Sequence, residues 1–276
     1  MTGTGCDCDH HTPALLESVA VISNDRVTEG VGLLVLRAPQ VAARVRPGQF
    51  VHLRIATGRD FILRRPFSVH RARGERIELL YQVLGSGTRA MSLLEPGATC
   101  DVVGPLGCGW RIPPQTSRAL LVSGGLGAAP LGMLAEELAA AGVAVTCAMG
   151  APTASRLVGR EVFDTVARIV DVATDDGSAG ERGFVTAVTE RLLGGHEYDV
   201  VYCCGPEVMQ RIVAAQAAAA EVPCQVSLER LMACGIGACL SCVVTTVSGR
   251  KRACVDGPVF DAEEVVWDAS EVPPGH

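Results

Sequence analysis

The sequence contains no run of about 20 unbroken apolar residues, the length a helix needs to cross a bilayer, so no membrane span is expected. It has no basic excess either: 24 Lys and Arg against 30 Asp and Glu leave a formal net charge of −6. A phosphate backbone calls for a concentrated basic face, so nucleic acid is excluded as an expected partner. Low-complexity blocks are absent, and 48% hydrophobic residues are ample for buried cores, which argues against extensive disorder. The opening MTGTGCDCDHHTP lacks the positive and apolar regions of a signal peptide. Residues 1–12 are expected to be a flexible tail, although Cys6, Cys8, His10 and His11 also form a possible metal-binding group. The 12 cysteines do not imply a disulfide scaffold, because 276 residues with α/β patterning can build cores without staples. That length allows about two domains and a small appendage.

What is present concentrates between Met232 and Val255. Cys234, Cys239, Cys242 and Cys254 stand in the order C-x4-C-x2-C-x11-C. The C-x4-C-x2-C opening is the plant-type spacing for a [2Fe-2S] cluster, whereas zinc ribbons usually carry two C-x2-C knuckles. Gly235 and Gly237 suit this chemistry, since backbone without Cβ can approach sulfur closely and aim N–H groups at it. The intervening VVTTVSGRKRA predicts a strand, a Ser248-Gly249 turn and a return strand that brings Cys254 back to the other three. Zinc and plain buried cysteines are the alternatives, and the spacing favours the cluster. Thiols that ligate iron need a reducing compartment, so a cytoplasmic location is expected.

From Pro13 to about Gln115 short strands alternate with Gly, Pro and charged turns, at Leu15–Ile22, Gly32–Leu36, Phe50–Ile55, Phe67–Arg71, Arg76–Val83 and Thr99–Val103. Six such strands with a short helical run near Thr88–Leu94 predict a small closed β-barrel. Within it, Arg64-Arg65-Pro66-Phe67-Ser68 offers a guanidinium for phosphate, a ring for stacking and a hydroxyl for a heteroatom. Gly85-Ser86-Gly87-Thr88 opens the helix with N–H groups suited to an anion. Taken alone each is weak, since a strand-edge Arg is usually a solvated charge and Gly-Ser-Gly is usually a loop.

Near Ser117 the period changes. The apolar strand Ala119–Ser123, the turn Gly124-Gly125-Leu126-Gly127-Ala128-Ala129-Pro130, the helix Leu131–Ala141 and the strand Val143–Ala148 form a βαβ unit. Strand Ile169–Val172, helix Gly183–Leu193, strand Tyr198–Cys203 and helix Glu207–Ala220 continue a doubly wound parallel sheet. The chain therefore divides into a β-barrel over 13–116, a nucleotide-binding α/β domain over 117–222 and a cysteine-bearing segment over 223–276. Met149-Gly150-Ala151-Pro152-Thr153 is expected to meet an adenosine ribose. Arg156 and Arg160 nearby leave the choice between NADH and NADPH open.

An R-P-F-S strand, then Gly-Thr before a helix, then a nucleotide-binding half: this order resembles the ferredoxin-NADP reductase superfamily. The resemblance implies that Arg65, Pro66, Phe67 and Ser68 contact FAD, that Leu80, Tyr81 and Gln82 pass beside it, and that Gly87 and Thr88 hold its phosphate. Gln82 stands where Arg is frequent in close relatives, leaving one phosphate contact missing or water-mediated. The turn Gly124, Gly125 and Gly127 would face NAD, with Cys204, Gly205 and Pro206 beside the reacting nicotinamide. Cys204 reads equally as a packed small residue. No covalent role is expected for it, because hydride transfer to flavin needs no protein nucleophile.

With the C-terminal cysteines added, residues of roughly 14 to 268 resemble the electron transfer subunit of dihydroorotate dehydrogenase, above all Leu228–Cys239. That family implies electron passage between NAD and an FMN-bearing catalytic partner through FAD and [2Fe-2S], in pyrimidine (UMP) biosynthesis, in a heterotetramer of two of each chain. No residue set here suggests a dihydroorotate site, so that chemistry would belong to the partner. The rival reading of the same architecture is a small FAD/[2Fe-2S] subunit of an NADPH-dependent ferredoxin or sulfide oxidoreductase. A non-enzymatic module holding zinc is the more distant one.

Overall fold

Residues 13–55, 62–195 and 197–267 are described by the computed structural model. The tail with Cys6, Cys8, His10 and His11 lies outside them, as does the end of the chain from residue 268.

Alternating burial along the first hundred residues produces one curled antiparallel sheet. Its strands are β1 (Leu15–Thr28), β2 (Val31–Arg37), β3 (Phe50–Arg54), β4 (Arg65–Ser68), β5 (Arg71–Arg73), β6 (Arg76–Gln82) and β7 (Thr99–Leu106). They lie in the order β4-β3-β7-β1-β2-β6-β5. Short helices α1 (Pro39–Ala42) and α2 (Ser86–Met91) bridge strand ends. Leu34, Leu36, Leu53, Ile77 and Leu79 are fully buried in the barrel core, each contributing about 1.5–3 kcal/mol of burial. The expected closed barrel is corrected in one respect. β4 and β5 sit at opposite edges without pairing, and the two residues between them close the gap. Val69 donates to Gln49 O on the β3 side (3.1 Å), and His70 donates to Glu78 O on β6 (2.8 Å).

The second sheet has the order β11-β10-β9-β8-β12-β13-β16. Its strands are β8 (Arg118–Gly124), β9 (Ala144–Ala151), β10 (Ile169–Thr174), β11 (Glu181–Arg182), β12 (Val200–Cys204), β13 (Cys224–Ser227) and β16 (Val259–Asp261), the last running antiparallel to β13. Helices α3 (Gly132–Ala140) and α4 (Arg160–Val166) cover one face, while α5 (Val185–Gly195) and α6 (Glu207–Ala219) cover the other. Successive β8 residues divide between the faces: Ala119 and Leu121 pack with Leu134, Leu138 and Phe163, whereas Leu120 and Val122 pack with Val188, Leu192 and Val213. A strand buried on both sides reads as the continuous apolar run ALLV.

Two features depart from the sequence reading. The turn after β8 first winds as a 3-10 helix, Gly125–Leu131, before α3 begins at Gly132. The α/β sheet also runs past the expected boundary at 222, because β13 and β16 are two of its strands. The cysteine segment is thus a long loop between them, carrying its own hairpin of β14 (Val243–Thr246) and β15 (Gly249–Arg252). Cys242, Val244, Ala253 and Cys254 share one core with Val226, Phe260 and the barrel residues Phe50 and Leu106.

Candidate functional site

Strand β4 begins at Arg65, whose Nη1 donates to Leu63 O at 2.8 Å. The guanidinium lies over Gly87 so closely that a Cβ at 87 would overlap Arg65 Nε. The RPFS strand and the Gly-Thr turn are therefore brought together, as a shared phosphate site requires. Thr88 uses its hydroxyl locally: Oγ1 accepts the N–H groups of Leu84 (2.9 Å) and Gly85 (3.2 Å), fixing the entry to α2. The first-turn N–H groups of that helix have no acceptor within it. Phe67 packs edge-on to Tyr81, ring centroids 6.4 Å apart. Period-two alternation then divides the β6 trio. Tyr81 turns into the barrel core and donates to Asn24 Oδ1 at 2.9 Å. Leu80 packs outward with Ala129 and Leu126 of the nucleotide turn, and Gln82 is half-buried.

The two loops expected to meet nicotinamide also converge. β8 and β12 are neighbours, with Ser123 opposite Cys204, and the chain winds away from β8 to β9 on one side and returns as β12 on the other. This switch point is where open α/β sheets leave a crevice at the carboxyl ends of the strands. A Cβ at Gly127 would overlap the Cys204 carbonyl, and one at Gly124 would lie 2.6 Å from Met209 Sδ and 2.8 Å from Pro206 Cδ. Gly125 holds φ +54°, and the space beside it is open. The Cys204 thiol points to Ser227 O (3.6 Å), and burial pushes its pKa up to about 12, so it stays protonated. A thiol kept protonated is a poor nucleophile.

Two histidines that sequence reasoning passed over join these pieces. His70, buried just after β4, contacts Ala129 O through Nδ1 at 3.0 Å and lies against Gly132. Trp110 Nε1 donates to Pro130 O at 2.8 Å, so the nucleotide turn is pinned to the barrel twice. His52 on β3 is fully buried opposite Pro66 of β4, and neither ring nitrogen has a hydrogen-bond partner. Burial, reinforced by the Arg64 charge, lowers its pKa to about 4, so the ring is neutral. The available signal was a histidine inside the otherwise apolar strand start FVHL.

The cysteine loop meets this same strand: a Cβ at Gly235 would lie 2.6 Å from His52 Nδ1. Gly235 and Gly237 take φ +69° and +83°, conformations an L side chain rarely adopts. The left-handed turns point amides at sulfur. Ile236 and Cys239 N–H approach Cys234 Sγ at 3.5 and 3.4 Å, and Gly237 N–H donates to Cys254 Sγ at 3.1 Å. Ser241 Oγ lies 3.2 Å from Cys239 Sγ, and its hydrogen bonds lower that thiol to about 6. Burial and the neighbouring Cys242 push Cys254 up to about 12. Cys234 neighbours Cys239 and Cys242 neighbours Cys254, with Cys234 also acting on Cys254. Among the described residues no three His, Cys, Asp or Glu side chains form a group suited to one metal ion. Four thiols in the C-x4-C-x2-C-x11-C order, with amides aimed at two of the sulfurs, suit a [2Fe-2S] centre.

Residues 229–266 match the family model described as the iron-sulfur cluster binding domain of dihydroorotate dehydrogenase B. The dihydroorotate dehydrogenase B (NAD(+)) electron transfer subunit of Desulforamulus reducens is 40% identical over 238 residues, covering 84% of this chain and 90% of the relative. That of Geobacillus kaustophilus is also 40% identical, over 91% of this chain and 98% of its own. The chain belongs to the family of dihydroorotate dehydrogenase B electron transfer subunits. Among solved structures, the NADH-dependent reduced ferredoxin-NADP oxidoreductase, described for flavin-based electron bifurcation, aligns with this family member at TM-score 0.83 and 34% identity over 90% of each chain. A ferredoxin reductase of carbazole 1,9a-dioxygenase, 19% identical at TM-score 0.65 over 77% of this chain, shares the reductase-like fold. As an oxidoreductase subunit of this family the chain works with a catalytic dihydroorotate dehydrogenase partner. No helix among the described residues is long and apolar enough to cross a membrane.

Proposed function

We propose that this chain carries electrons between NAD and an FMN-bearing dihydroorotate dehydrogenase subunit in the cytoplasm, in a complex of two copies of each. FAD would be held by Arg65, Pro66, Phe67 and Ser68 of β4, with Gly87, Thr88 and the flank of Leu80, Tyr81 and Gln82. The nicotinamide nucleotide would lie against Gly124, Gly125, Gly127, Cys204, Gly205 and Pro206, and [2Fe-2S] would be ligated by Cys234, Cys239, Cys242 and Cys254. When bound, these groups supply a two-electron acceptor for hydride and a one-electron outlet.

The protein's own part is positioning. The single observation that carries the reading is contiguity: the segment β3–β4–His70 touches the cysteine loop through His52 and Gly235, bears the flavin motif, and touches the nucleotide turn through His70 and Ala129. Arg65 brings positive charge to the phosphates, and the Gly127–Cys204 contact sets the depth of the crevice. Near the expected ribose loop, Arg156 donates to Glu29 O (3.0 Å) and Arg160 pairs with Asp164 (3.1 Å). The relatives are named for NAD(+), which favours NADH over NADPH.

Around the exposed Cys239, the side chains of Leu231, Ile236 and Leu240 are each more than half exposed. This apolar rim would cover the exit for electrons when the partner docks. The rival assignment to a ferredoxin oxidoreductase subunit draws support from the structural likeness at 34% identity. Anaerobic co-purification decides between them. A dihydroorotate-oxidising flavoprotein partner, with NADH bleaching both flavin and cluster signals, is the expected result. Recovery of a large flavin–iron–sulfur partner instead, or material free of iron and sulfide, would overturn the proposal.

A further inference from the structure

Burying an imidazole with both nitrogens unpartnered is costly. An unsatisfied buried donor forfeits the hydrogen bond it would make in water, and an apolar side chain of similar volume would fill the same space without that loss. His52 carries this cost at one particular place. Its backbone is fixed by strand pairing to Pro66 on one side and Val103 on the other. Phe50 packs edge-on, ring centroids 6.3 Å apart, which orients the imidazole. Nδ1 is the ring atom nearest the Cβ direction of Gly235, the residue directly after Cys234. Because Gly235 has no side chain, nothing of its own stands between the ring and the sulfur-binding loop. Three amides in that loop already aim at sulfur: those of Ile236 and Cys239 at Cys234, and that of Gly237 at Cys254.

We propose that His52 completes this set by donating a ring N–H to the sulfur framework of the cluster, thereby raising its reduction potential from the flavin side. The inference rests on the cluster reading of the four thiols. Donors to sulfur stabilise the reduced, more negative centre, so hydrogen bonding is one lever on cluster potential. His52 is a positioning residue here: it ligates no iron, and its effect reaches the electron through the sulfur it bonds. Its place opposite Pro66 puts the same side chain beside the strand that bears the flavin motif. One residue then spans the interval between the two redox sites.

The test compares wild-type protein with His52→Leu and His52→Gln, each co-expressed with the catalytic subunit and purified anaerobically. Iron and sulfide are assayed first, then the cluster is titrated against redox dyes and read by electron paramagnetic resonance. The Leu variant should keep its iron. Its equilibrium constant for cluster reduction should fall about tenfold, a negative shift of ~59 mV for one electron, with the flavin couple unmoved. The Gln variant, which retains an N–H, should restore most of that loss. An iron-replete Leu variant with an unshifted midpoint overturns the role of His52, as does a Gln variant shifted as far as Leu. Wild-type protein without iron or sulfide overturns the cluster reading itself, a separate result. If the Leu variant fails to fold, wild-type protein with nitrogen-15 confined to histidine supplies the readout. Pulsed resonance of the reduced cluster should show a weak histidine nitrogen coupling, and its absence also overturns the proposal.

Discussion

The nucleotide turn and the cysteine loop both rest on glycine and both use it for close packing, but the loop adds a second use. At Gly124 and Gly127 the missing side chains let protein pack against protein: the Pro206 ring, the Met209 sulfur and the Cys204 carbonyl occupy the space. The crevice is shaped by the fold alone. At Gly235 and Gly237 the missing side chains permit left-handed backbone, which rotates amides toward thiols. Those thiols meet three N–H groups and Ser241, around an exposed Cys239. One site is made by packing, and the other by orienting donors toward a centre that supplies its own bonds. Substitutions should therefore disturb the first mainly through sterics and the second mainly through chemistry.

The largest effect is expected at the cysteines. Cys239→Ser should abolish the cluster's resonance signal and reduce electron delivery to the catalytic partner to background, while NADH still bleaches the flavin in stopped-flow absorbance. Delivery that survives without a cluster would erase the contrast. Arg65→Ala should come next, weakening FAD retention by about 1.5–3 kcal/mol, the worth of a charge-assisted phosphate contact. Flavin occupancy after dialysis against limiting FAD measures it. Gly87→Ala should have a similar consequence, since a Cβ there displaces the Arg65 guanidinium.

Gly127→Ala tests the packed site. Overpacking of this kind typically costs about 1–3 kcal/mol, and thermal unfolding together with the KM for NADH should both report it. The cluster's resonance spectrum should stay unchanged, because the atoms a Cβ at Gly127 would strike belong to Cys204 and Gly205 and not to the thiol-bearing turn. The smallest effect belongs to Asp199, whose carboxylate accepts the N–H of Ser117 (2.7 Å) and Arg118 (2.8 Å) at the root of β8. These bonds hold its pKa below the ordinary 3.8. A depressed carboxyl stabilises the fold above its unfolded pKa, and that contribution is lost as pH falls through the folded value. Denaturant melts of Asp199→Asn should accordingly lack one small part of the wild-type decline below about pH 4.

Much of this was legible in the sequence because local chemistry dictated it. ALLV could only be a strand buried on both faces, and the spacing of Cys234, Cys239 and Cys242 named the centre it suits. The hairpin between Cys242 and Cys254 followed from Ser248-Gly249. What escaped depended on distant neighbours. β13 and β16 are short, and nothing in CQVS or VFD announces that they pair with each other across the whole cysteine loop. The helix α4 begins after a left-handed Gly159 with no side-chain cap, so it carries no start signal. Within the trio that the resemblance sets beside FAD, the side chain of Tyr81 turns into the barrel core while Leu80 faces outward, because a strand sends adjacent side chains to opposite faces. His52 and His70 were hidden for a related reason: the residues they lie against, Gly235 and Ala129, are far along the chain, where no local pattern records them.

The insertion point of the cysteine loop has one more consequence. Ser227 and Val259 are ladder partners, roughly 5 Å apart, so the sheet has already brought together both ends of the segment carrying all four thiols. Cluster assembly then acts on a tethered ring instead of a dangling chain end, and much of the closure entropy is settled by folding before iron arrives. A lesion in β16, far from any sulfur, should on this logic impair iron loading as surely as a blemish in the loop itself.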